Sequence, residues 1–184
     1  MFSPRYYFAH YLFRNLSLIR MDCLCFIKIL CSRNIYSRNN LHGHITASGL
    51  VIKNDKVLLI RHPFIGKYFQ PGGHIDENET PLEAAIREVY EETGWKCSPY
   101  RANQQILDVD FHLIPENKKK LEAAHWHIDL CYQLNPIEQA PVSESLSATW
   151  VDISRVESPR VRRAFIKAMR LDQAANTSNN SVSS

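Results

Sequence analysis

The stretch from Thr80 to Gly94 constrains this chain more than any other, because both ends of one helix are written into it. Thr80 suits the N-cap, Pro81 suits the first helical position, and Glu83, three residues after Thr80, completes a capping box. Gly94 supplies the left-handed residue that closes a helix. Between them Leu82, Ala85, Ile86 and Val89 recur at helical spacing and form the stripe to be buried. At about 100° per residue, Glu88, Glu91 and Glu92 fall within an arc of about 100° facing away from that stripe. Like charges at these spacings cost roughly 0.2–0.5 kcal/mol each. Carboxylates in the last turn also oppose the helix dipole, by roughly 0.3–1 kcal/mol each. A helix selected for stability would carry Lys or Arg there, so local rules broken together mark a candidate site. From the cluster alone, a solvated acidic face without function is the competing explanation.

The surroundings alternate between strand and helix patterns. His44–Lys53 is β-rich and alternating, Asn54-Asp55 is a turn signal, and Val57–Ile60 is an apolar run, which together predict a β-hairpin. A loop with Pro63, Gly66 and Pro71-Gly72-Gly73 leads into the helix. Further strands are expected at Gln104–Ile114, His125–Leu134 and Ser147–Val151. A second helix is expected over about Pro159–Leu171, where Val161, Ala164, Phe165, Ala168 and Leu171 keep helical spacing. The result is a mixed α/β domain over residues 41–172, with helices covering a sheet. Residues 1–40 form an extension of unclear structure, and the Ser/Asn-rich residues 173–184 are expected to be a disordered tail.

At 184 residues the chain has room for one domain with a core. Its net charge of +3 is uneven: residues 1–40 hold six basic side chains and one acid, leaving 16 basic and 18 acidic groups for the rest. The basicity therefore belongs to the extension, and no specific nucleic-acid partner is expected. The extension is compatible with a transit peptide, a basic amphipathic segment, a helical region packing on the domain, or read-through upstream of a start at Met21; it lacks the pattern of a secretory signal. No uncharged apolar run approaches the roughly 18 residues of a membrane span. Five cysteines without paired metal-site spacing read as reduced thiols of a cytoplasmic protein.

Clustered carboxylates suit Mg²⁺ or Mn²⁺, hard cations that prefer oxygen ligands and bridge to substrate phosphates. Arg87 neighbours Glu91 on the helix and can orient it, Glu79 can reach back to Arg87, and Gly72-Gly73 lets the backbone approach closely. The segment Gly73 to Trp95 resembles the Nudix box, Gly-x5-Glu-x7-Arg-Glu-U-x-Glu-Glu-x-Gly-U with U a bulky apolar residue. All nine specified positions are met: Gly73, Glu79, Arg87, Glu88, Val89, Glu91, Glu92, Gly94 and Trp95. The resemblance implies an α/β/α sandwich around a mixed sheet. It further implies metal-dependent hydrolysis of a phosphoanhydride bond in a nucleoside diphosphate linked to another moiety. Glu88, Glu91 and Glu92, with the Gly73 carbonyl, would be the metal ligands, and Glu79 and Arg87 would hold them in place. The partner would be a small nucleotide-type substrate, and a homodimer is allowed.

Outside the box the residues speak less specifically. The general base in this family is a box glutamate or a later glutamate or histidine; Glu144, just ahead of the Ser147–Val151 strand, is the candidate here, against a plain surface acid. His125, His127 and Asp129 alternate and can share one strand face, so His127 is a candidate substrate contact; metal binding and ordinary sheet residues are the other readings. His74, next to the glycines, is a candidate phosphate contact, with loop packing as the alternative. Tyr68, Phe69 and Trp126 read first as core or rim packing, and base stacking is the alternative. The Gly43–Ser48 strand and Pro-Gly-Gly-His are also similar to a bacterial Nudix subgroup of unassigned substrate, whereas the arginine-rich run of coenzyme A pyrophosphatases is missing. A nucleotide-binding sensor on the same fold is the runner-up. An isopentenyl diphosphate isomerase would need an early-strand Cys that His44–His62 lacks.

Overall fold

The structure, a computed structural model, describes residues 23–40, 42–61, 66–100, 104–118, 121–141 and 147–180. Along the chain run α1 (Cys23–Leu30), β1 (Gly43–Lys53), β2 (Lys56–Arg61), β3 (Tyr68–Phe69), β4 (Gly72–His74), α2 (Pro81–Thr93), β5 (Trp95–Pro99), β6 (Asp108–Ile114), β7 (His125–Gln139), β8 (Ala148–Asp152), a short 3₁₀ turn (Ile153–Arg155) and α3 (Pro159–Asn180). The chain divides into two compact units, residues 1–44 with 113–126, and residues 45–112 with 127–184.

In the first unit α1 leads through a series of turns to the start of β1, with Ile29 and Ile35 buried. Gly43 has φ +134°, and a Cβ there would lie 2.0 Å from the Trp126 carbonyl oxygen, so only glycine fits. His44 stacks on His125 with ring centroids 5.2 Å apart, and His125 Nδ1 lies 2.8 Å from the Ala123 carbonyl oxygen.

The second unit is built on an eight-stranded sheet. Its order is β3-β2-β1-β7-β5, with β4 also on β1, β6 on β7 and β8 on β2. The β1–β2 hairpin turns at Asn54 and Asp55, both with positive φ, as two-residue hairpin turns require. Neighbouring residues of a strand face opposite sides, and β1 shows what covers each side. A Cβ on Gly49 would lie 2.4 Å from Val89 Cγ2 of α2. Leu50 instead packs with Val161, Ala164 and Ala168 of α3, and with Val57, Leu59, Leu107 and Cys131. The two helices therefore cover opposite faces of a mixed sheet, an α/β sandwich in which β1 is buried from Gly43 to Val51.

Several elements depart from the sequence expectation. The loop before α2 contains two short strands, β3 on β2 and β4 on β1. Strand β5 follows Gly94 at once and pairs with the far half of β7, which therefore continues beyond Leu134 to Gln139. Pro136 is tolerated there because the register shifts at Lys96/Cys97. Strand β6 starts at Asp108, not Gln104. The Leu107 amide still donates to the Cys131 carbonyl at 2.8 Å, and its side chain enters the α3 core. Helix α3 continues to Asn180, so residues 173–180 are helical where a disordered tail was expected. Ala174 and Ala175 are strong helix formers, and Thr177 Oγ1 donates back to the Gln173 carbonyl at 2.9 Å. Among the described residues, no helix is long and apolar enough to cross a membrane. Among the described residues, Cys25, Cys31, Cys97 and Cys131 form no disulfide.

Candidate active site

Helix α2 starts and stops where its caps dictate. Thr80 Oγ1 accepts from the Glu83 amide, Glu83 Oε2 accepts from the Thr80 amide at 2.8 Å, and Gly94 takes φ +75°. The side chains that seat it on the sheet are Ala84, Ala85, Val89 and Thr93. Small residues at 84 and 85 allow a close approach. Leu82 is only half-buried and lines a surface hollow with Tyr100, Leu107, Tyr132 and Leu171.

The glutamates do not share one solvated face. Glu88 keeps only 15% of its side chain exposed, Glu92 is also largely covered, and Glu91 remains 55% exposed. What covers the first two is the Gly72–Gly73 segment folded back over the helix. The Gly72 amide donates to Glu92 Oε2 at 2.9 Å. A Cβ on Gly73 would lie 2.4 Å from Glu88 Oε1, so a larger residue would occupy the space in front of that carboxylate.

Arg87 organises the cluster. Its Nε and Nη2 fork onto Glu79 at 2.8 and 2.9 Å, Nη1 reaches Glu88 and Glu91 at 3.0 Å each, and Nη2 donates to the His74 carbonyl at 2.9 Å. This fork is the geometry guanidinium favours with carboxylate. The Arg87 hydrogen bonds hold the Glu79 carboxyl below its usual range, and Glu79 raises Arg87 in return. Burial pushes Glu88 upward although Arg87 opposes it. Burial lifts Glu92 to about 7, with the charges of Glu88 and Glu91 adding and the Gly72 amide opposing. Two half-buried carboxylates are thus raised above their usual range, with their oxygens facing a segment free of side chains. That is a fit to a hard divalent cation.

The flanking candidates divide. His74 and His127 come together, their rings edge to face at 5.4 Å, and the His112 ring lies 5.6 Å from that of His127. His112 Nδ1 lies 3.1 Å from Asp110 Oδ2. Sequence reasoning missed His112; its only signal was the alternation Asp108, Asp110, His112 on one strand face. Asp129 is buried and accepts from Thr46 Oγ1 at 3.1 Å and Ser48 Oγ at 2.5 Å, as a satisfied sheet residue does. Tyr68 is exposed on β3, whereas Phe69 and Trp126 are half-buried. Glu144 lies outside the described residues.

Comparison with known proteins agrees with this geometry. The family model of the NUDIX domain matches residues 43–170. A probable DHNTP pyrophosphohydrolase of Lactococcus lactis is 38% identical over 115 residues, covering 61% of this chain and 68% of that protein. An ADP-ribose pyrophosphatase of Methanocaldococcus jannaschii is 39% identical over 71 residues, covering 36% and 42% respectively. Among solved structures, a NUDIX-family hydrolase from Clostridium perfringens superposes with a TM-score of 0.50 at 26% identity, covering 70% of this chain and 97% of that one. With the box residues assembled on and around α2 and the family model matching residues 43–170, the chain belongs to the Nudix family and is a hydrolase of it.

Proposed function

We propose that the protein hydrolyses a phosphoanhydride bond in a nucleoside diphosphate linked to a further group. In this reading Mg²⁺ or Mn²⁺ is held by Glu88, Glu91, Glu92 and the Gly73 carbonyl. The observation that carries the reading is the half-buried pair Glu88 and Glu92 facing Gly72–Gly73. The bound metal supplies charge neutralisation on the diphosphate and acidification of a water. Arg87 and Glu79 hold the carboxylates in one arrangement, so little reorganisation is needed as charge develops. In the same reading His74 and His127, whose rings meet at 5.4 Å, donate to phosphate oxygens, and Glu144, ahead of β8 in the chain, is the proposed proton acceptor. The two relatives are named for a pyrophosphohydrolase and a pyrophosphatase activity, and cleavage of that kind of bond is what they lend to this proposal.

The test is incubation with Mg²⁺ or Mn²⁺ and a panel of (d)NTPs, ADP-ribose, nucleotide sugars, NADH, dinucleoside polyphosphates and CDP-alcohols. Products are scored as nucleoside monophosphate, phosphate and pyrophosphate. Turnover of one class, lost in chelator and in the Glu91→Gln/Glu92→Gln double variant, is the expected result. Silence across the panel with nucleotide still bound would favour a sensor instead.

A further inference from the structure

A buried polar chain runs from β7 to the loop that faces the glutamates. Asp129 can only accept, so the hydroxyls of Thr46 and Ser48 must both donate to it, at 3.1 and 2.5 Å. That leaves the Ser48 oxygen to accept, and Gln70 Nε2 donates to it at 2.5 Å. One charge thereby sets the polarity of every link and turns the Gln70 amide to a single orientation. All four side chains are nearly closed to solvent: Asp129 3%, Thr46 4%, Ser48 1% and Gln70 3% exposed. At the far end Arg160 of α3 stands 3.7 Å from Asp129. Gln70 Oε1, equally buried, has no hydrogen-bond partner among the described residues.

Apolar residues of similar size could fill these positions without burying a carboxylate and an amide. What the polar chain adds is position, and Ser48 is its hub. The Ser48 backbone pairs with Gly72 across β1 and β4, and a Cβ on Gly72 would lie 2.5 Å from Ser48 Cβ. Next to it, the Gly49 amide donates to the Pro71 carbonyl at 3.0 Å. The segment Gln70–Gly72 is therefore stitched to β1 by a side-chain link and by backbone links, immediately before the Gly72 amide reaches Glu92.

We propose that Asp129, acting through Ser48 and Gln70, is a positioning residue that sets the Gly72–Gly73 segment of β4 against Glu88 and Glu92. The inference rests on the metal-site reading above only for its effect on metal affinity; its effect on the segment is independent of it.

The test compares full-length Ser48→Ala and Gln70→Leu with the wild type, using two readouts without substrate. One is the affinity for Mn²⁺ alone, from the resonance of the free ion. The other is hydrogen exchange of the Gly72 amide in metal-free protein, with the Ala164 amide in α3 as the control for global opening. Each variant is expected to weaken Mn²⁺ binding about 10-fold or more, and to speed Gly72 exchange by a similar factor while Ala164 is unchanged. If Ser48→Ala does not fold, Gln70→Leu, which leaves β1 intact, decides alone. Gly72 exchange equal to wild type overturns the proposal, as does acceleration of both amides together, the sign of mere destabilisation. Unchanged Mn²⁺ affinity in a wild type that binds Mn²⁺ overturns it too. A wild type that does not bind Mn²⁺ sinks the metal reading by itself, and Gly72 exchange then decides the positioning role.

Discussion

Two ionic clusters in the same unit are made of the same groups and balanced differently. Between β6 and α3, Asp108 takes Arg163 at 2.8 Å and also Lys167, Asp110 takes Arg163 at 2.8 Å, and Arg160 stands between Asp110 and Asp129. Three acids meet three bases. At α2, by contrast, Glu79, Glu88 and Glu91 share Arg87, and Glu92 accepts from the Gly72 amide. The first cluster closes its own charge and acts as a clamp for α3. The second leaves a surplus of negative charge around a glycine segment, and this local deficit is what an incoming cation and phosphate can use.

This contrast can be broken in four ways. Converting Glu91 and Glu92 together to Gln is expected to lower kcat by about 10³-fold, while the thermal midpoint stays or rises because repulsion is relieved. A double variant that melts early and keeps turnover would reverse the roles of the clusters. Asp108→Asn is expected to do the opposite, costing about 3 kcal/mol of stability by taking the carboxylate from Lys167 and leaving Arg163 with Asp110 alone, with Mn²⁺ affinity unchanged; denaturant titration measures it. Arg87→Lys keeps the charge and loses the fork onto Glu79, so kcat should fall about 10–100-fold with the fold intact by circular dichroism.

The smallest effect concerns acid. Hydrogen bonds from His112 and Arg163 and the charge of Arg160 hold Asp110 below its usual range, against the burial that would raise it. A carboxyl depressed on folding contributes stability that is present above its unfolded pKa and lost as pH falls through its folded pKa. Asp110→Asn should therefore leave stability less dependent on pH below about 4, which acid unfolding monitored by fluorescence would show. An unaltered acid transition would mean that the clamp does not depend on Asp110.

Much of the box was legible because its signals are local. The capping box, Pro81 and Gly94 act within one turn of the helix, so residue order alone states where α2 begins and ends. The reach of Arg87 to Glu91 is an i,i+4 contact, and that to Glu79 spans only eight residues. The far half of β7 and the whole of β5 were not legible, because each exists as a strand only by pairing with the other. Likewise His112 acquires meaning only when β6 lies beside β7 and brings it to His127.

By itself the sequence determined that a capped helix would carry three glutamates and an arginine at fixed spacing, since those positions follow from the helical repeat. It also determined an α/β pattern of strands and helices, since apolar period and turn residues are read along the chain. Only the tertiary structure decided that Glu88 and Glu92 are covered while Glu91 is open, because burial depends on the Gly72–Gly73 segment returning over the helix. It also decided that Asp129, 57 residues beyond Gly72 in number, is tied through Ser48 and Gln70 to that segment. Such couplings are made by strand order and register, and no local repeat in the sequence records them.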